Sequence, residues 1–117
     1  MLARAALIFM LLFASPALAD EWSNTSKWLF AATAAAYLAD GASTIGFLHQ
    51  TDAVETNPIL GKHPTDAQVI AYISGCILLS WAIADLLPDS YRPFFLVPVM
   101  LVEIKASRHN FMIVFRR

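Results

Sequence analysis

Between Trp28 and Leu48 the chain runs 21 residues with a single charged side chain, Asp40. A helix of that length rises about 30 Å, enough to cross the hydrocarbon core of a bilayer. An acid in the middle of such a stretch constrains the fold strongly, because a carboxylate facing lipid is costly and must be packed inward. The spacing predicts where inward is. Ala32, Ala36, Asp40 and Thr44 recur every fourth residue, and Ala35, Ala39 and Ser43 form a neighbouring stripe. Small residues at that spacing let another helix approach closely, so this face is predicted to be buried in protein.

Two further stretches read as spans. Gln68–Leu87 is apolar at its centre, with Ala71 and Gly75 as a second small-residue pair for helix contact, and Pro88-Asp89-Ser90 stops it. The third, about 93–113, is purely apolar from Phe94 to Val102, carries Pro98 as a predicted bend, and then turns polar. At 100° per residue, Glu103, Ser107 and Asn110 cluster on one side of it, whereas Lys105, Arg108 and His109 spread over the other. The whole chain is 58% hydrophobic and only 15% charged, away from the balance of soluble domains. Its net charge of −1 disfavours a nucleic-acid partner.

Residues 1–19 read as a signal peptide. Arg4 precedes an apolar run to Phe13, and Ala17-Leu18-Ala19 supplies the small residues of a cleavage site before Asp20. An uncleaved first helix is the alternative. The fold expected is an all-α transmembrane bundle of three spans, about 28–48, 68–87 and 93–113, within a single domain over 20–117. Such a chain belongs in the bacterial inner membrane as a multi-pass protein. The connection after Leu48 and the C-terminus would be cytoplasmic.

That connection has its own signals. In Glu55-Thr56-Asn57-Pro58 the asparagine can cap the following turn and the carboxylate can close back on its amides, with Gly61 ending the turn. Thr65-Asp66-Ala67-Gln68 fits a capping box that starts the second span. His49, Asp52, Glu55 and His63 lack the spacing of a metal site, so solvated surface is the better reading for all but Glu55, whose role in the turn is structural. Cys76, the single cysteine, reads as a small buried hydrophobe. No nucleophile elbow or phosphate loop is present, and no cofactor is implied.

Depth along the helices joins the polar residues. Asp40 lies about 18 Å below Trp28, and Glu103 and Lys105 lie about 14 and 16 Å below Phe94, so the first and third spans bring them level if parallel. Two readings follow. Asp40 pairs with Lys105 or Arg108 as a structural ion bridge, or Asp40, Thr44, Glu103 and Asn110 form a site for a cation, a proton or a polar head group. Alternatives of other classes are an accessory subunit that packs on a membrane-protein partner, or on further copies of itself, and an acid/base enzyme using Asp40 and Glu55.

Asp40-Gly-Ala-Ser-Thr44, followed eleven residues later by Glu55-Thr56-Asn57-Pro58 and a last helix with Glu103 and Asn110, resembles a family of small bacterial and archaeal multi-pass membrane proteins. Their pattern is an Asp-x3-Thr helix, a Glu-x-Asn-Pro turn and two more apolar helices, a domain of unknown function. The resemblance covers about Trp28 to Ile113. It implies a membrane bundle and carries Asp40, Thr44, Glu55, Asn57 and Pro58 over as the residues that matter. The basic cluster Lys105–His109 lies outside that pattern.

Overall fold

A computed structural model describes residues 21–49, 54–55 and 57–115 of the chain. The signal segment 1–19, Asp52, Thr56 and the closing Arg116 and Arg117 lie outside the described residues. The described chain is all-α: α1 (Asn24–Leu48), α2 (Asp66–Leu86), a short 3₁₀ turn (Asp89–Tyr91) and α3 (Arg92–Phe115).

Each start has a local cause. α1 begins four residues before the expected span, because Ser23 caps it: the Ser26 amide donates to Ser23 Oγ at 3.1 Å. The polar run after Ser23 is thereby wound into helix. α2 opens with the expected capping box, Gln68 N to Thr65 Oγ1 at 3.1 Å and Thr65 N to Gln68 Oε1 at 2.8 Å. α3 runs as one helix through Pro98.

α1 and α3 run parallel. Ser23 meets Asp89 at one end, and Thr44 meets Asn110 at the other. α2 is antiparallel to both, with Tyr37 against Ser80 and His49 against Asp66. The α1–α3 seam is built from small and hydroxyl side chains. Thr33 Oγ1 donates to Leu29 O at 2.8 Å and approaches Leu96 O at 3.5 Å, and Ser107 Oγ donates to Ala36 O at 3.4 Å. Thr33, Ala36, Ser43, Thr44, Leu96 and Ser107 are all buried there. The small-residue face of α1 is therefore packed in part: Ala36 and Thr44 are buried, but Ala32 and Ala35 are exposed.

The second small-residue pair is not a helix contact. Ala71 and Gly75 are exposed, and a Cβ at Gly75 would meet nothing within 4 Å. α2 instead approaches α1 at Gly41, where a Cβ would lie 3.0 Å from Ile73 Cγ1. Only hydrogen separates the helices there, because α2 turns Val69 and Ile73 inward and Ile70, Leu78 and Leu79 outward.

Among the described residues, α2 is the one helix long and apolar enough to cross a membrane, and only 22% of that stretch is buried. α1 and α3 carry the polar side chains that they bury against each other, and these lower the mean hydropathy of both. The most apolar helix is the one least covered by protein.

Candidate functional site

The loop end of the bundle holds a cavity of about 270 Å³. All six residues singled out in the sequence, Asp40, Thr44, Glu55, Asn57, Glu103 and Asn110, line it, joined by Tyr72 and His109. Their convergence follows from three local features. Parallel packing sets Glu103 and Asn110 of α3 level with Asp40 and Thr44 of α1. The inward face of α2 brings Tyr72. The turn after α1 folds back over the opening with Glu55 and Asn57.

That turn is built as its residue types dictate. The Asn57 amide donates to Glu55 Oε1 at 2.9 Å, and Asn57 Oδ1 accepts from the Ile59 amide at 3.0 Å, an Asx turn leading out of Pro58. Gly61 closes it at φ +79°, a conformation that costs a residue with a Cβ. The backbone then returns, with Glu55 N donating to Lys62 O at 2.9 Å. Tyr72 of α2 lines the same cavity as Asn57 of the turn.

Asn110 is the hub of the floor. Its Nδ2 group reaches Asp40 Oδ1 at 3.1 Å, Ser43 Oγ at 3.3 Å and Thr44 Oγ1 at 3.0 Å. Two N–H bonds therefore serve three acceptors. Glu103 sits beside this floor with its carboxyl within hydrogen-bonding reach of that of Asp40. Its Oε2 atom is buried without a hydrogen-bond partner. Two carboxyl groups so placed face each other as acceptors unless a proton or a cation lies between them.

The bridge from Asp40 to Lys105 or Arg108 does not form. Both basic side chains are exposed, and the ion pairs among the described residues are Arg92–Asp89 at 3.0 Å and His49–Asp66 at 3.1 Å. Asp40 has Asn110 instead, because Lys105 and Arg108 project from the outer side of α3. His109, placed on that outer side by the helical wheel, reaches the rim of the cavity. Among the described residues no three His, Cys, Asp or Glu side chains converge to hold a metal ion.

The opposite end holds a second polar cluster that spacing alone did not point to. Arg92 is fully buried. Its Nε donates to Ala84 O at 2.8 Å, Nη1 to Glu21 O and to Asp89 Oδ1 at 3.0 Å each, and Nη2 to Asp85 O at 3.3 Å. The guanidinium stacks on the Trp22 ring, 4.5 Å from its centroid, and Trp22 Nε1 donates to Asp85 Oδ1 at 2.8 Å. The Ser23 amide, then the Ser26 and Ser23 hydroxyls, and then Arg92 hold the Asp89 carboxyl well below the usual carboxylate range. The available signal was Arg92 itself: an arginine between two helices, where a single fork can serve several carbonyls left over at a helix end.

Compared with family models, curated proteins and solved structures, the chain has no match. The site therefore stands on its own geometry.

Proposed function

We propose that this chain is a small multi-pass inner-membrane protein that binds an organic ammonium group between Asp40 and Glu103. The observation that carries the reading is the buried, unpartnered Glu103 Oε2 beside Asp40, in a cavity large enough for a small ligand. The floor has more acceptors than donors, since the Asn110 amide is already shared among three oxygens. A cationic N–H donor supplies both the missing hydrogen bonds and the missing charge.

Three helices of 25, 21 and 24 residues support the three-span arrangement. Trp28, Leu38, Leu78, Leu101 and Val102 all point outward. Lys105 and Arg108 leave α3 on its exposed side, where long basic side chains reach a membrane surface. The cavity then lies at the cytoplasmic edge.

Titration calorimetry with propylammonium on the purified protein in a neutral detergent tests the reading. Saturable binding is expected for wild type, with Asp40→Asn and Glu103→Gln each weakening it at least about tenfold. Equal binding of propanol, or equal affinity in both variants, would sink it. The shared cavity also supports a second reading, acid/base chemistry by Asp40 and Glu55, which requires both carboxylates for turnover.

A further inference from the structure

On the far side of the α1–α2 contact lies a second space, a cleft of about 210 Å³ whose lining is almost wholly apolar. Leu38, Ala42 and Ile45 of α1 and Ile70 of α2 form its sides. Val69 and Ile73 line both this cleft and the acidic cavity, so two apolar side chains are the wall between them. Opposite that wall stands Gly41, which contributes no side chain to it.

We infer that the ligand of the acidic cavity is an amphiphile drawn from the bilayer: its ammonium head lies between Asp40 and Glu103, and its chain passes through the Val69–Ile73 seam into the apolar cleft. This rests on the ammonium reading of the cavity. The occupant of the cleft follows from the Val69–Ile73 wall it shares with that cavity, from its apolar lining, and from α2, the membrane-length helix that forms one side of both spaces. A cleft of this kind facing water would be a liability, whereas against a bilayer it already meets acyl chains. Widening the seam requires Ile73 to move off the Gly41 backbone, where α1 contributes no side chain. α2 is lightly covered and can shift without breaking the α1–α3 pair.

The seam can be locked. A Cβ at Gly41 would lie 3.6 Å from the Ile73 Cβ, inside the roughly 3.5–4.5 Å that a disulfide spans. The test uses the full chain with Gly41→Cys, Ile73→Cys and Cys76→Ser in a neutral detergent, titrated with propylammonium, dodecylammonium and dodecanol. Reduced protein should bind dodecylammonium more than about tenfold tighter than propylammonium, through burial of added methylenes. Oxidised protein should lose that gain and keep propylammonium binding. Dodecanol should bind neither form tightly. Ala42→Phe, which fills the cleft without touching the acidic floor, should repeat the selective loss. Equal affinity for the short and long ammonium ions, or a chain-length gain that survives both the lock and Ala42→Phe, overturns the amphiphile and leaves the ammonium site standing. Failure of both ammonium ions to bind the reduced protein, or tight binding of dodecanol, overturns both.

Discussion

The two ends of this bundle handle buried charge in opposite ways. At the Arg92 end one cation meets a full set of acceptors: three carbonyls, the Asp89 carboxylate and the face of Trp22. At the Asp40 end two carboxyl groups meet one amide, and Glu103 Oε2 is left buried without a partner. Matched polarity is what a fold needs where the chain must be tied down, here residues 21–23 onto the α2–α3 connection. Unmatched polarity costs stability, and here it lies beside a cavity, which is the ground for the ammonium site proposed above.

The comparison breaks first at Arg92. Arg92→Met strips four backbone and side-chain acceptors of their donor and should cost about 3 kcal/mol or more, read from unfolding in detergent. A cost below about 1 kcal/mol would mean the cluster is not the anchor of that end. Asn110→Ala should come next, at about 1–2 kcal/mol, because it removes the amide that donates to Asp40, Ser43 and Thr44. Unchanged thermal stability in that variant would show the floor satisfied by other means.

Acid should act on the matched end. Asp89 is held below its ordinary value of 3.8, so the folded state binds its proton less readily than the unfolded chain does. Its contribution is complete above that ordinary value and fades as pH falls below it towards the lower folded value. Thermal melts should therefore show a loss below about pH 4 that Asp89→Asn abolishes. If the variant loses stability over the same range by the same amount, other carboxylates carry the acid sensitivity.

Glu103→Gln should go the other way. Removing one of two facing carboxylates should leave stability unchanged or raise it by up to about 1 kcal/mol, while ammonium binding weakens at least about tenfold. A large destabilisation would make the carboxyl pair structural. Smallest is Lys105→Met, expected within about 0.5 kcal/mol of wild type, with no coupling to Asp40→Asn in the double mutant. Coupling above about 1 kcal/mol would restore the ion bridge that the folded geometry does not show.

Much of the site was legible because its residues are local in cause. Glu55 and Asn57 act within their own turn, Thr65 and Gln68 within one helical turn, and Glu103, Ser107 and Asn110 share a face by helix periodicity alone. Depth counting then placed Asp40 level with Glu103, and the parallel pair put both on one cavity. What failed were inferences that needed a neighbour. Ala71 and Gly75 have the spacing of a contact, yet contact requires a partner at the right azimuth, and α2 turns a different face to α1. Gly41, unremarkable in sequence, became the close approach because Ile73 happens to stand opposite it.

The sequence alone determined the three helices, the capping box of α2, the inward acid and the polar side of the last helix, since each is set by interactions within a few residues. Tertiary structure decided which carboxyl faced which amide, that Lys105 and Arg108 stand outside, and that Arg92 is buried at the junction of three chain segments. Those outcomes depend on helix azimuth and offset, which come from the packing of whole surfaces. One residue of rotation is about 100°, enough to exchange an ion bridge for a solvated lysine.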